Sequence, residues 1–137
     1  MSFSGKKFRR VKCENIDKLL AATHANDDIV RVLKMKAPLV TYTMIDEQTL
    51  HMDLDMDGQQ MSHTFKLGEE HVLEKKDGRK VKMTYTIEGN NVIKQVIKMP
   101  DGKTAYFRKE FNDNEIKMIV TMHGTDLNAT IYYEMVQ

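Results

Sequence analysis

The chain has little with which to cross-link itself, enter a bilayer or attract a polyanion. A single cysteine, Cys13, excludes an internal disulfide. No apolar run is long enough to span a membrane, and none near the N-terminus resembles a signal peptide, so a reducing cytosol is the expected setting. Neither sign of charge dominates. Lys and Arg number 21 against 20 Asp and Glu, and a net charge of +1 gives no general field for nucleic acid or an anionic membrane. Tryptophan is absent and proline occurs twice. The residues of catalysis and metal binding are as thinly spread. His24, His51, His63, His71 and His123 lack the close spacing of a zinc motif, and no GxSxG elbow, glycine-rich phosphate loop or catalytic-cysteine signature occurs. The stretch HMDLDMDG imitates a calcium loop but lacks the closing glutamate. No metal, cofactor or enzymatic activity is expected.

What is present is regular alternation. At 137 residues the chain has the size of one domain, spanning 1–137 around one core. After an extended opening segment to about residue 12, Ile16, Leu19 and Leu20 fall at helical spacing behind Asn15 as a cap, which predicts a helix over 16–23. Asn26, Asp27 and Asp28 open a second helix that Pro38 stops near Lys36. This helix-turn-helix, about 15–36, is too short to hold a core. Its second helix presents only Arg31, Lys34 and Lys36, too few cations for a DNA reader.

From Leu39 the period changes to 2. Strands are expected at about 39–46, 49–57, 60–67, 70–76, 79–88, 91–99, 104–112, 115–123 and 127–136. Turn residues such as Asp57-Gly58, Asp77-Gly78 and Asn112-Asp113-Asn114 separate them tightly. With the opening segment this makes an all-β fold: a ten-stranded antiparallel up-and-down β-barrel, with the two helices across an open end.

The alternation assigns faces. Leu50, Met52, Leu54 and Met56 share one side of their strand, opposite His51, Asp53 and Asp55. Ala105, Phe107 and Lys109 share a face, which would put a cation inside, a costly placement unless it is paired, hydrated or turned to a ligand. In the last strand Asn128, Thr130, Tyr132 and Glu134 oppose Ala129, Ile131, Tyr133 and Met135; if the first set is internal, Thr130 and Tyr132 could orient a polar head group. Eleven methionines suit an adaptable apolar lining, though any one taken alone is more often ordinary core filler.

FSGKKF, CENIDKLL, Pro38, and above all FKLGEE followed by DGRKVKM and a strand ending in IEG, resemble the intracellular lipid-binding proteins, the fatty-acid-binding family, over essentially the whole chain. The resemblance implies a cytoplasmic, monomeric, non-enzymatic carrier of long-chain fatty acids or related lipids. These would enter by a portal beside the second helix, at Ile29, Val32 and Leu33. A carrier of a neutral lipid, such as a retinoid or monoacylglycerol, is the alternative, as is an interaction protein with a vestigial cavity. The tail would lie on Met52, Leu54, Met56, Phe65 and Phe107, with Met118, Val120 and the lid residues Ile16 and Leu20 completing the lining.

The family's head-group site usually has two arginines and a tyrosine. Here the matching positions read as Lys109, with Arg108 as neighbour, and as Thr130 with Tyr132. An arginine fork is thus replaced by a point charge and neutral donors, which favours weaker or differently placed carboxylate capture. Arg31, Lys34 and Lys36 could also make transient contact with anionic membranes during delivery.

Overall fold

The computed structural model describes residues 3–23, 38–56, 59–74, 78–99, 102–124 and 126–136. The alternating sequence forms ten strands: β1 (Lys7–Glu14), β2 (Leu39–Asp46), β3 (Thr49–Met56), β4 (Gln59–Lys66), β5 (Glu70–Glu74), β6 (Lys80–Glu88), β7 (Val92–Lys98), β8 (Thr104–Phe111), β9 (Glu115–Met122) and β10 (Asn128–Val136). They make one antiparallel sheet in the order β4-β3-β2-β1-β10-β9-β8-β7-β6-β5. Neighbours in the chain are neighbours in the sheet except β4 and β5, its two edges, and β1 joins β10 to curl the sheet into a nearly closed barrel. This is the up-and-down barrel the spacing of turns implies. The opening segment continues as strand as far as Glu14, where it still pairs with Thr130.

α1 (Ile16–Thr23) begins as expected behind Asn15, whose carbonyl accepts the Leu19 amide at 3.0 Å. Asn15 has φ of 61°, a left-handed conformation that asparagine tolerates better than most residues. Ile16 and Leu19 are buried and Asp17 and Lys18 exposed, and the helix packs against β9 and β10. The expected helix 26–36, with Ile29, Val32, Leu33 and the cations Arg31, Lys34 and Lys36, lies outside the described residues.

One turn shows why its residue is glycine. Gly68, between β4 and β5, has φ of +78°, and its amide donates to the Tyr85 carbonyl at 2.8 Å, tying the open edge of the barrel to β6.

Inward-facing side chains form two apolar clusters. One, under α1, joins Ile16 and Leu19 to Ile97, Phe107, Val120, Ile131 and their neighbours. The other gathers Phe3, Phe8, Leu50, Phe65, Ile93 and Ile116 about Phe111. Phe111 stacks on Phe3 with centroids 4.5 Å apart and meets Phe8 and Tyr42 edge-on, each at 5.8 Å. This knot brings the segment before β1 onto β8. Phe111→Ala should therefore cost about 3–5 kcal/mol, the usual loss for a buried phenylalanine, read as a lower urea midpoint with unchanged m-value.

Candidate functional site

The two clusters meet at a polar layer. On β7, Gln95 follows Ile93 of one cluster and precedes Ile97 of the other, and on β8 Lys109 sits likewise between Phe107 and Phe111. Gln95 and Lys109 are the buried polar side chains among the described residues. The pleat of each strand thus aims one polar group inward at the same depth, because the residues two positions away on either side also face inward.

Lys109 is 5% exposed. Its Nζ donates to Tyr42 Oη at 2.6 Å and to Gln95 Oε1 at 2.8 Å, and lies 4.8 Å from the centre of the Tyr42 ring and 5.5 Å from that of Tyr85. Beyond these, Gln95 Nε2 reaches Met83 Sδ at 3.8 Å, and the Tyr85 hydroxyl reaches Met52 Sδ at 3.9 Å. Among the described residues the hydrogen-bond partners of the cation are therefore neutral. Loss of water without a compensating carboxylate brings the Lys109 pKa down to about 7. The same burial raises the Tyr42 hydroxyl well above its usual range, with Tyr85 and Tyr133 adding to the effect, and pushes Tyr133 up to about 12 against the opposing charge of Arg10.

Burial of the inward side chains is uneven. Met52, Leu54, Met83 and Leu20 point inward yet keep part of their surface accessible, whereas Phe65 and Val120 are fully covered. The first group marks the more accessible region of the interior and the second is packed core. The β4 and β5 edges flank that region, where His71 meets the Phe65 ring edge-on at 5.3 Å and its Nε2 accepts the Lys66 amide at 3.0 Å.

The residues expected at the site divide accordingly. Lys109 is internal, as its alternation with Ala105 and Phe107 implies. Ile16, Phe107 and Met118 are buried, and Leu20, Met52 and Leu54 are partly open. The Met56 side chain lies outside the described residues.

Thr130 and Tyr132 require correction. They face out, because Ala129 and Ile131 are the covered residues of β10 and every second residue takes the same side. Tyr132 instead lies beneath Lys12 on the outer wall, 4.6 Å from ring centre to Nζ. Aligning the last strand one residue later places Ile131 and Tyr133 inward. Arg108 also faces out, where its guanidinium bonds Glu110 at 3.0 Å and Glu88 at 3.3 Å.

Tyr42, Gln95 and Tyr85 surround Lys109 in this candidate site, and none of them was expected there from the sequence. Gln95 had a local signal, a lone amide in the alternation Ile93-Gln95-Ile97, whereas Tyr42 and Tyr85 follow the same period as ordinary core residues.

A shallow groove on the outer wall, lined among others by Lys94, Val96, Tyr106, Arg108 and Ile119, is a weaker candidate. Its cations are already engaged, Lys94 with Glu88 at 2.6 Å and Arg108 with Glu88 and Glu110.

No family model matches the sequence. Fatty acid-binding protein 2 of Manduca sexta is 30% identical over 143 residues, covering 98% of this chain and 99% of the relative. Among solved structures, the fatty-acid-binding protein isolated from Manduca sexta superposes with a TM-score of 0.78 at 28% identity, covering 96% of this chain and 98% of that one. The Schistosoma mansoni fatty acid binding protein, solved in complex with arachidonic acid, gives 0.79 at 26% identity over 99% and 97% of the two chains.

A lysine whose pKa falls from 10.5 unfolded to about 7 folded makes the unfolded chain bind more protons between those values. Stability should therefore rise as pH goes from about 7 towards 9.5, and the cost of the buried charge should be fully present below 7. Urea unfolding of the wild type should show that rise, on the order of a few kcal/mol. Lys109→Met should lack it and be the more stable protein at pH 6. Equal slopes for the two would remove Lys109 as the cause.

Proposed function

Because the chain belongs to the fatty-acid-binding family, we propose that it is a carrier that holds a long-chain fatty acid inside its barrel, with the carboxylate against Lys109. The observation that carries this reading is a buried amine with neutral partners at the seam of an otherwise apolar interior. An incoming carboxylate supplies the counter-charge the site lacks. It accepts from Lys109 Nζ and from the Tyr42 hydroxyl, while Gln95 Oε1 keeps a third amine proton occupied.

The tail lies along Met52, Leu54, Met83 and Leu20, where accessible surface remains. Each methylene taken from water contributes about 0.8 kcal/mol. Affinity thus comes mainly from the chain, and the head-group contacts select among lipids. Ile131 stands where a second inward cation would complete a two-arginine clamp, so the carboxylate is held by a point charge and hydroxyls, which tolerate more than one head-group orientation.

The protein acts by binding and release rather than by catalysis, as a cytoplasmic monomer, and delivers its cargo without a cofactor. Among the described residues no helix is long and apolar enough to cross a membrane.

Matched titrations with palmitate and hexadecanol test this reading. At pH 6, where Lys109 is charged in the free protein, Lys109→Met should weaken palmitate about 10–100-fold, the worth of a hydrogen bond to a charged group, and change hexadecanol by less than threefold. Wild-type affinity for palmitate should fall as pH rises above 7. The apparent midpoint should lie higher than 7, because the bound carboxylate helps Lys109 keep its proton. Equal loss for acid and alcohol would place the head group elsewhere.

A further inference from the structure

A lysine with neutral partners in an apolar interior is equipped for more than ionic pairing. We propose that the Lys109 amine also captures long-chain lipid aldehydes covalently and reversibly, as an imine formed within the barrel. This rests on the carrier reading, since the apolar interior must first take up the lipid chain.

The geometry suits the reaction. In its uncharged form Lys109 donates one N–H to Gln95 Oε1 at 2.8 Å, and its lone pair accepts the Tyr42 hydroxyl proton across 2.6 Å. Among the described residues no carboxylate is a hydrogen-bond partner that would keep the nitrogen protonated. With burial holding its pKa at about 7, roughly half the molecules carry the nucleophilic amine at neutral pH, against about one in three thousand for a lysine in water. Tyr42, raised well above its usual range, keeps its own proton and so remains a donor.

The steps balance without a co-reactant. The nitrogen attacks the aldehyde carbon, the carbonyl electron pair moves to oxygen, and that oxygen takes the Tyr42 proton while Tyr42 recovers one from nitrogen. The resulting carbinolamine loses its hydroxyl as water, again with the Tyr42 proton. The nitrogen lone pair forms the C=N bond, and the remaining N–H proton returns to Tyr42. Aldehyde and amine thus give imine and water, with tyrosine restored. Depletion of water around the buried nitrogen favours the condensed product, and hydration reverses it.

The test uses the full chain at pH 7 with hexadecanal and cyanoborohydride, which reduces an imine to a stable secondary amine for peptide mapping by mass spectrometry. The expected result is one adduct per chain, on Lys109, suppressed more than tenfold by prior saturation with palmitate and formed about tenfold more slowly in Tyr42→Phe. Because the site is mapped in the unaltered protein, the result does not depend on whether a variant folds. Should hexadecanal compete with palmitate yet leave Lys109 unmodified, or label the exposed lysines no less than Lys109, covalent capture is wrong and the carrier reading stands. If neither palmitate nor hexadecanal binds, both readings fall.

Discussion

Pairing of β1 with β10 is the constraint from which the interior follows. A meander of strands by itself has two long open edges and a face that any neighbouring chain could cover. Here seven residue pairs from Lys7↔Val136 to Glu14↔Thr130 join the first strand to the last, and the sheet turns its apolar face on itself. The register slips once, between Arg10 and Lys12, where Val11 bulges outward. That bulge keeps Phe8 and Arg10 opposite Met135 and Tyr133, and brings Lys12 opposite the outward Tyr132. The edges that remain, β4 and β5, border the less tightly packed part of the interior.

Closure makes burial of a cation an electrostatic cost. Lys109 cannot turn to solvent, because the strand pleat directs it between Phe107 and Phe111. Its charge is met by a hydroxyl, an amide oxygen and two aromatic faces, each a partial compensation. A site left short of negative charge in the free state is well matched to an anionic head group, because the bound ligand removes the deficit. The same shortage makes the amine available in its neutral form near pH 7. On the proposed readings, binding and nucleophilicity are two outcomes of one placement, separated by whether the lipid ends in a carboxylate or an aldehyde.

The outer wall offers a contrast. Arg108, one residue from Lys109, is paired with two carboxylates in water and has no comparable role. Adjacent positions of one strand have opposite fates because the side-chain period is two, and a one-residue error in reading register exchanges them. Such an error placed Thr130 and Tyr132 at the site instead of Ile131 and Tyr133. In β8 the apolar residues Ala105, Phe107 and Phe111 share the inward face with Lys109. In β10 the local sequence Thr-Ile-Tyr-Tyr offered a plausible residue on either side.

The sequence by itself determined the boundaries of β2 to β10 to within a residue or two, the first helix and the succession of strands in one nearly closed sheet, because turn residues and period-two alternation are local. The same alternation put Lys109 on the face of Ala105 and Phe107, and the structure shows that face to be the inner one. The second helix, 26–36, falls outside the described residues. Only the tertiary structure decided the company Lys109 keeps. Tyr42, Tyr85 and Gln95 come from β2, β6 and β7, up to 67 residues away in the chain. Nothing in their local patterns says that they converge, since convergence depends on the curvature and closure of the whole sheet.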